Sequence, residues 1–160
     1  MAEKAKSDLK AIKINNGAWL PVIAEHIEAF CKKAHVDGIQ PGNLQTYFAQ
    51  IAQGWYGRDT TEFWMVFDDN KPVAFAAWFT LGLPHIAKVY CPALYSWQKD
   101  SAVVNLLIDE FAKFGKRHNA VWYSADLVSK SLVRLLKKRA GEYGYSFKET
   151  GLTHINMRRG

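Results

Sequence analysis

Between residues 61 and 159 short strand-like apolar runs give way repeatedly to apolar residues at helical spacing, and this order of elements limits the fold more than any single motif. Alternation places side chains on the two faces of a strand, whereas spacings of three and four place them on one helix face, so the two patterns are not interchangeable. TEFWMVF at 61–67 is rich in aromatic and β-branched residues and reads as a strand. Asp68-Asp69-Asn70-Lys71-Pro72 carries turn chemistry, since Asp and Asn tolerate left-handed backbone and proline pre-sets its φ. VAFAAWFTL at 73–81 returns as a second strand, which makes the pair a hairpin with a longer loop. Gly82-Leu83-Pro84 breaks it, and IAKVYC at 86–91 is a third strand.

From Asp100 the period changes. Val103, Leu106, Leu107, Phe111 and Phe114 predict a helix capped by Asp100 or Ser101, with Lys116, Arg117 and His118 at the end where cations suit the dipole. AVWYS at 120–124 is a short strand. Leu132, Leu135, Leu136 and Ala140 mark one face of a helix capped by Ser129 or Ser131 and closed by Gly141 or Gly144. Two short strands, 145–150 and 152–158, follow around Gly151. Ahead of residue 61, LKAIKI at 9–14 alternates as a first strand. Trp19, Val22, Ile23, Ile27 and Phe30 then predict a helix with Pro21 in its first turn, and Leu44, Tyr47, Phe48 and Ile51 a second one capped at Asn43. The order β-α-α-β-β-β-α-β-α-β-β makes the fold class mixed, α+β.

A chain of 160 residues with 49% hydrophobic content is one domain with a core of its own, expected over 9–160 behind a mobile tail at 1–8. The tail, MAEKAKSD, has no apolar stretch of the kind a secretory signal carries, and no run in the chain reaches membrane-span length. Cys31 and Cys91 make no disulfide framework, which fits a reducing compartment and a cytoplasmic location. The histidines at 26, 35, 85, 118 and 154 lack the spacing that puts two ligands on one face, so no metal site is expected. Neither a G-x-S-x-G elbow nor a phosphate-binding G-x-x-x-x-G-K-[ST] loop occurs. Glu62 and Asp126, beside strand ends, could each act as a general base, although surface solvation is the ordinary fate of a single carboxylate.

A net charge of +6 raises the question of anionic partners. Lys130, Arg134, Lys137 and Lys138 form a basic stripe on the last helix, able to meet the phosphates of a nucleic acid or of a coenzyme nucleotide, or simply to be solvated. Trp97, Trp55 and Tyr56 fall in loop or helix-end positions and are candidates for an exposed aromatic contact surface with a protein partner.

The order of elements resembles the GNAT superfamily, the Gcn5-related N-acetyltransferases. The hairpin FWMVFDDNKPVAFAAWF, the helix end Arg139-Ala140-Gly141-Glu142-Tyr143-Gly144-Tyr145-Ser146-Phe147 and the closing His154-Ile155-Asn156-Met157-Arg158-Arg159 carry the likeness. The resemblance implies a central mixed, twisted sheet of about six to seven strands flanked by about four helices, with acetyl-CoA as cofactor and an amine on a small molecule, peptide or protein as acyl acceptor. Such proteins usually place R/Q-x-x-G-x-G/A before the helix that receives the coenzyme pyrophosphate. The best register here is Gln98-x-x-Ser101-x-Val103, without glycine anywhere between Gly82 and Gly115, and Asp100 adds a negative charge that Lys99 offsets in part. The resemblance assigns the pantetheine to the strand at Val89, Tyr90 and Cys91. It assigns the pyrophosphate to Tyr95, Ser96, Gln98, Lys99, Ser101 and Ala102, and counts Ser129 among the cofactor-binding residues. The family's acid, a tyrosine four residues before the Gly-aromatic pair, falls on Ala140, and Tyr143 is the tyrosine nearest that place. The altered loop, basic charge and aromatic richness are also similar to GNAT-like proteins of short-tailed bacteriophages. That likeness implies a catalytically inactive binding or structural module, associated with a virion or with a host protein.

Overall fold

Asp69 and Asn70 both take left-handed backbone, with φ of 48° and 70°, so that β2 (Thr61–Asp68) turns directly into β3 (Lys71–Leu83). Two successive positive φ values give a turn whose twist matches that of the strands it joins. The longer loop expected over 68–72 is therefore a two-residue turn, with Asp68 opposite Lys71 and Phe67 opposite Pro72 in the ladder. The computed structural model describes residues 8–34, 40–83, 86–149 and 154–159. Most of the expected tail, and residues 35–39, lie outside them.

Among the described residues the order is the expected one. β1 (Leu9–Lys13) precedes α1 (Ala24–Ala34) and α2 (Pro41–Ala52); the hairpin β2–β3 leads to β4 (Ile86–Ser96) and α3 (Ser101–Arg117). The chain then forms β5 (Trp122–Asp126), α4 (Lys130–Glu142), β6 (Tyr145–Glu149) and β7 (His154–Arg159). These strands make a seven-stranded sheet in the order β1-β2-β3-β4-β5-β7-β6. Its neighbours are antiparallel except β4 and β5, whose parallel pairing requires a crossover, supplied by α3.

Boundaries moved for local reasons. Residues 17–23 make short-range bonds such as Leu20 N–H to the Gly17 carbonyl and Val22 N–H to the Trp19 carbonyl, so the regular helix starts at Ala24 and Pro21 precedes it. α2 starts at Pro41, whose preset φ suits the first helical position, and its N-cap is Gln40 rather than Asn43. α4 ends at Glu142, and Gly144, with φ of 77°, turns the chain into β6.

The sheet is covered on both faces. Val66, Ala76 and Trp78 pack beneath α3 and α4, while Phe63, Met65 and Phe75 pack beneath α1 and α2. Alternation along β2 and β3 thus feeds two separate cores, and Trp78 and Phe75 are fully buried, one on each side. No helix among the described residues is long and apolar enough to cross a membrane.

Candidate functional site

A proline starts the site. Along β3 and β4, Ala77 faces Ala93 but Phe79 faces Tyr90, so two steps on β3 match three on β4 and one extra residue is inserted at Cys91-Pro92. Pro92 has no N–H to give to a ladder, and a bulge is where a sheet tolerates that loss. The insertion reverses the alternation: Val89 and Cys91 point into the α3–α4 core, whereas Ala93 and Tyr95 face the α1–α2 core. It also marks where the strands part. β5 pairs with residues 88–91 of β4 and no further, while β4 stays on β3 as far as Ser96.

A cleft of about 710 Å³ opens along this parting, within the usual range for a ligand site. Tyr95, Ser96, Gln98, Lys99, Asp100 and Ser101 form its β4–α3 wall. Ser129, Arg134 and Lys138 of α4 face them, and Lys33 enters from the end of α1. The N-termini of α3 and α4 meet here, each with its own cap. Asp100 Oδ1 accepts from Ala102 N–H at 2.9 Å, and Ser129 Oγ from Leu132 N–H at 3.2 Å. The Lys33 ammonium lies 5.3 Å from the Tyr95 ring centroid.

Side chains hold the loop before α3. Ser96 Oγ donates to the Gln98 carbonyl at 2.8 Å, and the Gln98 amide donates to Asp68 Oδ2 at 3.0 Å. Trp97 stacks on His26 of α1, with centroids 3.8 Å apart and planes 4° from parallel. The exposed contact surface expected at Trp97 is thus corrected to a half-buried clamp; Trp55 and Tyr56, 68% and 46% exposed, remain on the surface after α2.

No protein-family model and no curated protein sequence matches the chain. Solved structures do. A GNAT-family acetyltransferase of Staphylococcus aureus matches with a TM-score of 0.66 at 9% identity, over 94% of this chain and 98% of that one. An acetyltransferase of Streptococcus agalactiae matches with 0.62 at 13%, over 93% and 96%. A predicted acetyltransferase of Clostridium acetobutylicum, solved with acetyl-CoA, matches with 0.61 at 16%, over 90% and 94%. The chain has the GNAT fold.

Within the GNAT frame, the residues singled out in the sequence separate into groups. Tyr95, Ser96, Gln98, Lys99, Ser101 and Ser129 line the cleft, and Ala102, next to them on α3, does not. Val89, Tyr90 and Cys91 lie in the stretch still paired with β5, so the parting starts beyond all three, at Pro92. Burial pushes the Cys91 thiol up to about 12, and its Sγ donates to the Ala93 carbonyl at 3.3 Å. That keeps it protonated and unreactive at neutral pH. Of the basic stripe, Arg134 and Lys138 reach the cleft, while Lys130 and Lys137 stand outside it.

The two carboxylates weighed as bases have different fates. Glu62 is 3% exposed, and the expectation of a solvated surface group is corrected. Its Oε1 accepts from the indoles of Trp64 and Trp78, both at 3.0 Å, and its Oε2 from Lys13 at 3.0 Å and Arg117 at 2.9 Å. Asp126 sits one residue past the last β4–β5 pair, Cys91 with Ala125, and accepts the Tyr90 hydroxyl. Burial pushes the Tyr90 phenol far up, and the bond to Asp126 and its charge add to that. Only the register of two strands from distant parts of the chain brings Tyr90 and Asp126 together.

Tyr143, the α4 C-cap, is off the cleft walls. Its hydroxyl donates to Asp109 Oδ1 of α3 at 2.6 Å and accepts from Arg139 at 3.2 Å, and Arg139 is itself paired with Asp109. Burial raises its pKa, and Asp109 raises it further. These contacts join α4 to α3. Tyr143→Phe is therefore expected to cost about 1 kcal/mol, the scale of one hydrogen bond, in a urea titration. It should leave any acyl transfer at the parental rate; a hundredfold loss of kcat would instead make Tyr143 the acid.

Proposed function

We propose that the protein is an acyl-CoA-dependent N-acyltransferase, with the donor in the cleft between β4 and α4 and an amine as acceptor. The observation that carries this reading is the cleft itself. It opens where β4 and β5 part, runs past two helix N-termini, and has cations on three walls. The edge of β4 past the bulge offers backbone groups to the amides of a pantetheine arm, as a sheet edge does to any extended chain. Ser101 and Ser129 offer hydroxyl groups, and Lys99 and Arg134 offer charge, at the anionic end. The bound thioester would supply an activated acyl carbon and a thiolate leaving group. Asp126, hydrogen-bonded by Tyr90 one residue past the last β4–β5 pair, would take a proton from the acceptor ammonium. The nitrogen can then form the C–N bond as the C–S bond breaks, and its remaining surplus proton balances the thiolate.

A second reading, a GNAT fold kept as a binding module, draws on Asp100 at the α3 terminus and on the exposed Trp55 and Tyr56. Thermal unfolding with acetyl-CoA separates the two. A ligand of the folded state adds about 2.7 kcal/mol at a hundredfold excess over Kd, which appears as a higher Tm. No shift at millimolar acetyl-CoA sinks the acyltransferase reading.

A further inference from the structure

The end of the cleft that would receive an anion is built unevenly. At the α3 terminus, Ala102 N–H goes to Asp100 Oδ1 at 2.9 Å, Val103 N–H goes to the Asp100 carbonyl at 3.1 Å, and the Gln98 amide is turned away to Asp68. A carboxylate that caps a helix through its dipole occupies the place of an incoming phosphate and repels it. Positive charge gathers on the other walls. Lys33 ends α1, Lys99 precedes α3, and Arg134 and Lys138 stand one turn apart on α4. Among the described residues none of these four has a carboxylate partner within 4.0 Å, whereas Lys13, Arg117 and Arg139 do. What sets these four apart is their position, since all of them line one cavity.

We propose that Arg134 and Lys138, helped by Lys33 and Lys99, hold the nucleotide phosphates of the donor, in place of the α3 N-terminus. The ligand class is an adenosine bisphosphate carrying a flexible arm, and the phosphates lie against α4 and away from Asp100. The arginine fork can take two phosphate oxygens at once, and the lysines add point charges around it. This rests on the acyl-CoA reading for the identity of the arm but not for the site of the phosphates.

Calorimetric titration with two probes tests it: acetyl-CoA, and adenosine 3′,5′-bisphosphate, which has the phosphates without the thioester arm. In Arg134→Gln/Lys138→Gln both probes are expected to bind at least about tenfold more weakly, the scale of a lost charge-assisted hydrogen bond. Asp100→Asn keeps the cap, because Asn caps a helix as well as Asp, and is expected to change either affinity by less than about threefold. The reverse pattern, with Asp100→Asn tightening binding tenfold and the double variant within twofold of the parent, would place the phosphates on α3 and overturn the proposal. Parent protein that fails to bind the bisphosphate also overturns it. Binding of the bisphosphate that depends on Arg134 and Lys138, with no acetyl transfer to any amine, keeps the phosphate site and sinks the acyltransferase reading. Acetyl transfer that is indifferent to the double variant does the opposite. All three positions are exposed, and a matched Tm across the variants confirms that each is folded.

Discussion

Glu62→Ala is expected to lower stability by about 3 kcal/mol, or roughly 6–12 °C in Tm for a domain of this size, read by calorimetry. The alanine leaves the buried Trp78 indole N–H without its acceptor and removes the anion between Lys13 and Arg117. An unmet buried donor carries the whole cost of its lost hydration, and the Trp64 indole adds to it. The same carboxylate has a pH signature. Burial alone would raise its pKa, but the hydrogen bonds from Trp64, Trp78 and Lys13, with the Lys13 charge, outweigh burial and hold it below the ordinary value of 4.5. A carboxyl whose folded pKa is depressed stabilises fully above its unfolded pKa and loses that contribution as the pH falls through the folded one. The gap between parent and Glu62→Ala should therefore be constant at neutral pH and narrow below pH 4.5. A variant as stable as the parent at pH 7 would show that the four donors hold nothing.

Asp126→Asn is expected to lower kcat by about 10²-fold or more, the usual contribution of a general base, while acetyl-CoA binds as tightly as before. Asparagine keeps the shape and still accepts from Tyr90, so the change removes basicity while retaining that contact. Turnover at the parental rate would assign the base elsewhere. Glu62 is then a poor candidate, since its four donors and 3% exposure keep it from a substrate.

The succession of strands and helices was legible because it is written in local periods. Residues 61–67 are a short aromatic and β-branched run and residues 103–114 recur at three and four, and those patterns depend on neighbours a few positions away. The bulge was not legible. Pro92 reads as the end of a strand, yet β4 runs to Ser96, because β3 holds it on the other edge through pairs such as Ala74 with Ser96. Alternation was interrupted by one residue and the pattern looked broken. The turn at Asp69 and Asn70 was visible as chemistry but read as too long, since Pro72 enters the ladder beside a register shift in which Val73 is the extra residue on β3.

The candidate site divides in the same way. Tyr95, Ser96, Lys99, Asp100 and Ser101 are neighbours in the chain, so one motif register found them. Lys33, Arg134 and Lys138 join them only because α1 and α4 pack against that loop from two sides of the sheet. The stripe of four cations on α4 was plain in the sequence, but which of them meet a cavity is decided by the rotation of the helix on its apolar face. Glu62 and Asp126 were equal on paper. Pairing with β3 places the Trp78 indole against Glu62, and pairing with β4 places Tyr90 against Asp126, so strand register made one carboxylate structural and left the other at the parting of the strands. Local order follows from contacts a few residues apart, whereas a carboxylate's solvation and partners follow from contacts across the fold, as 36 residues separate Tyr90 from Asp126.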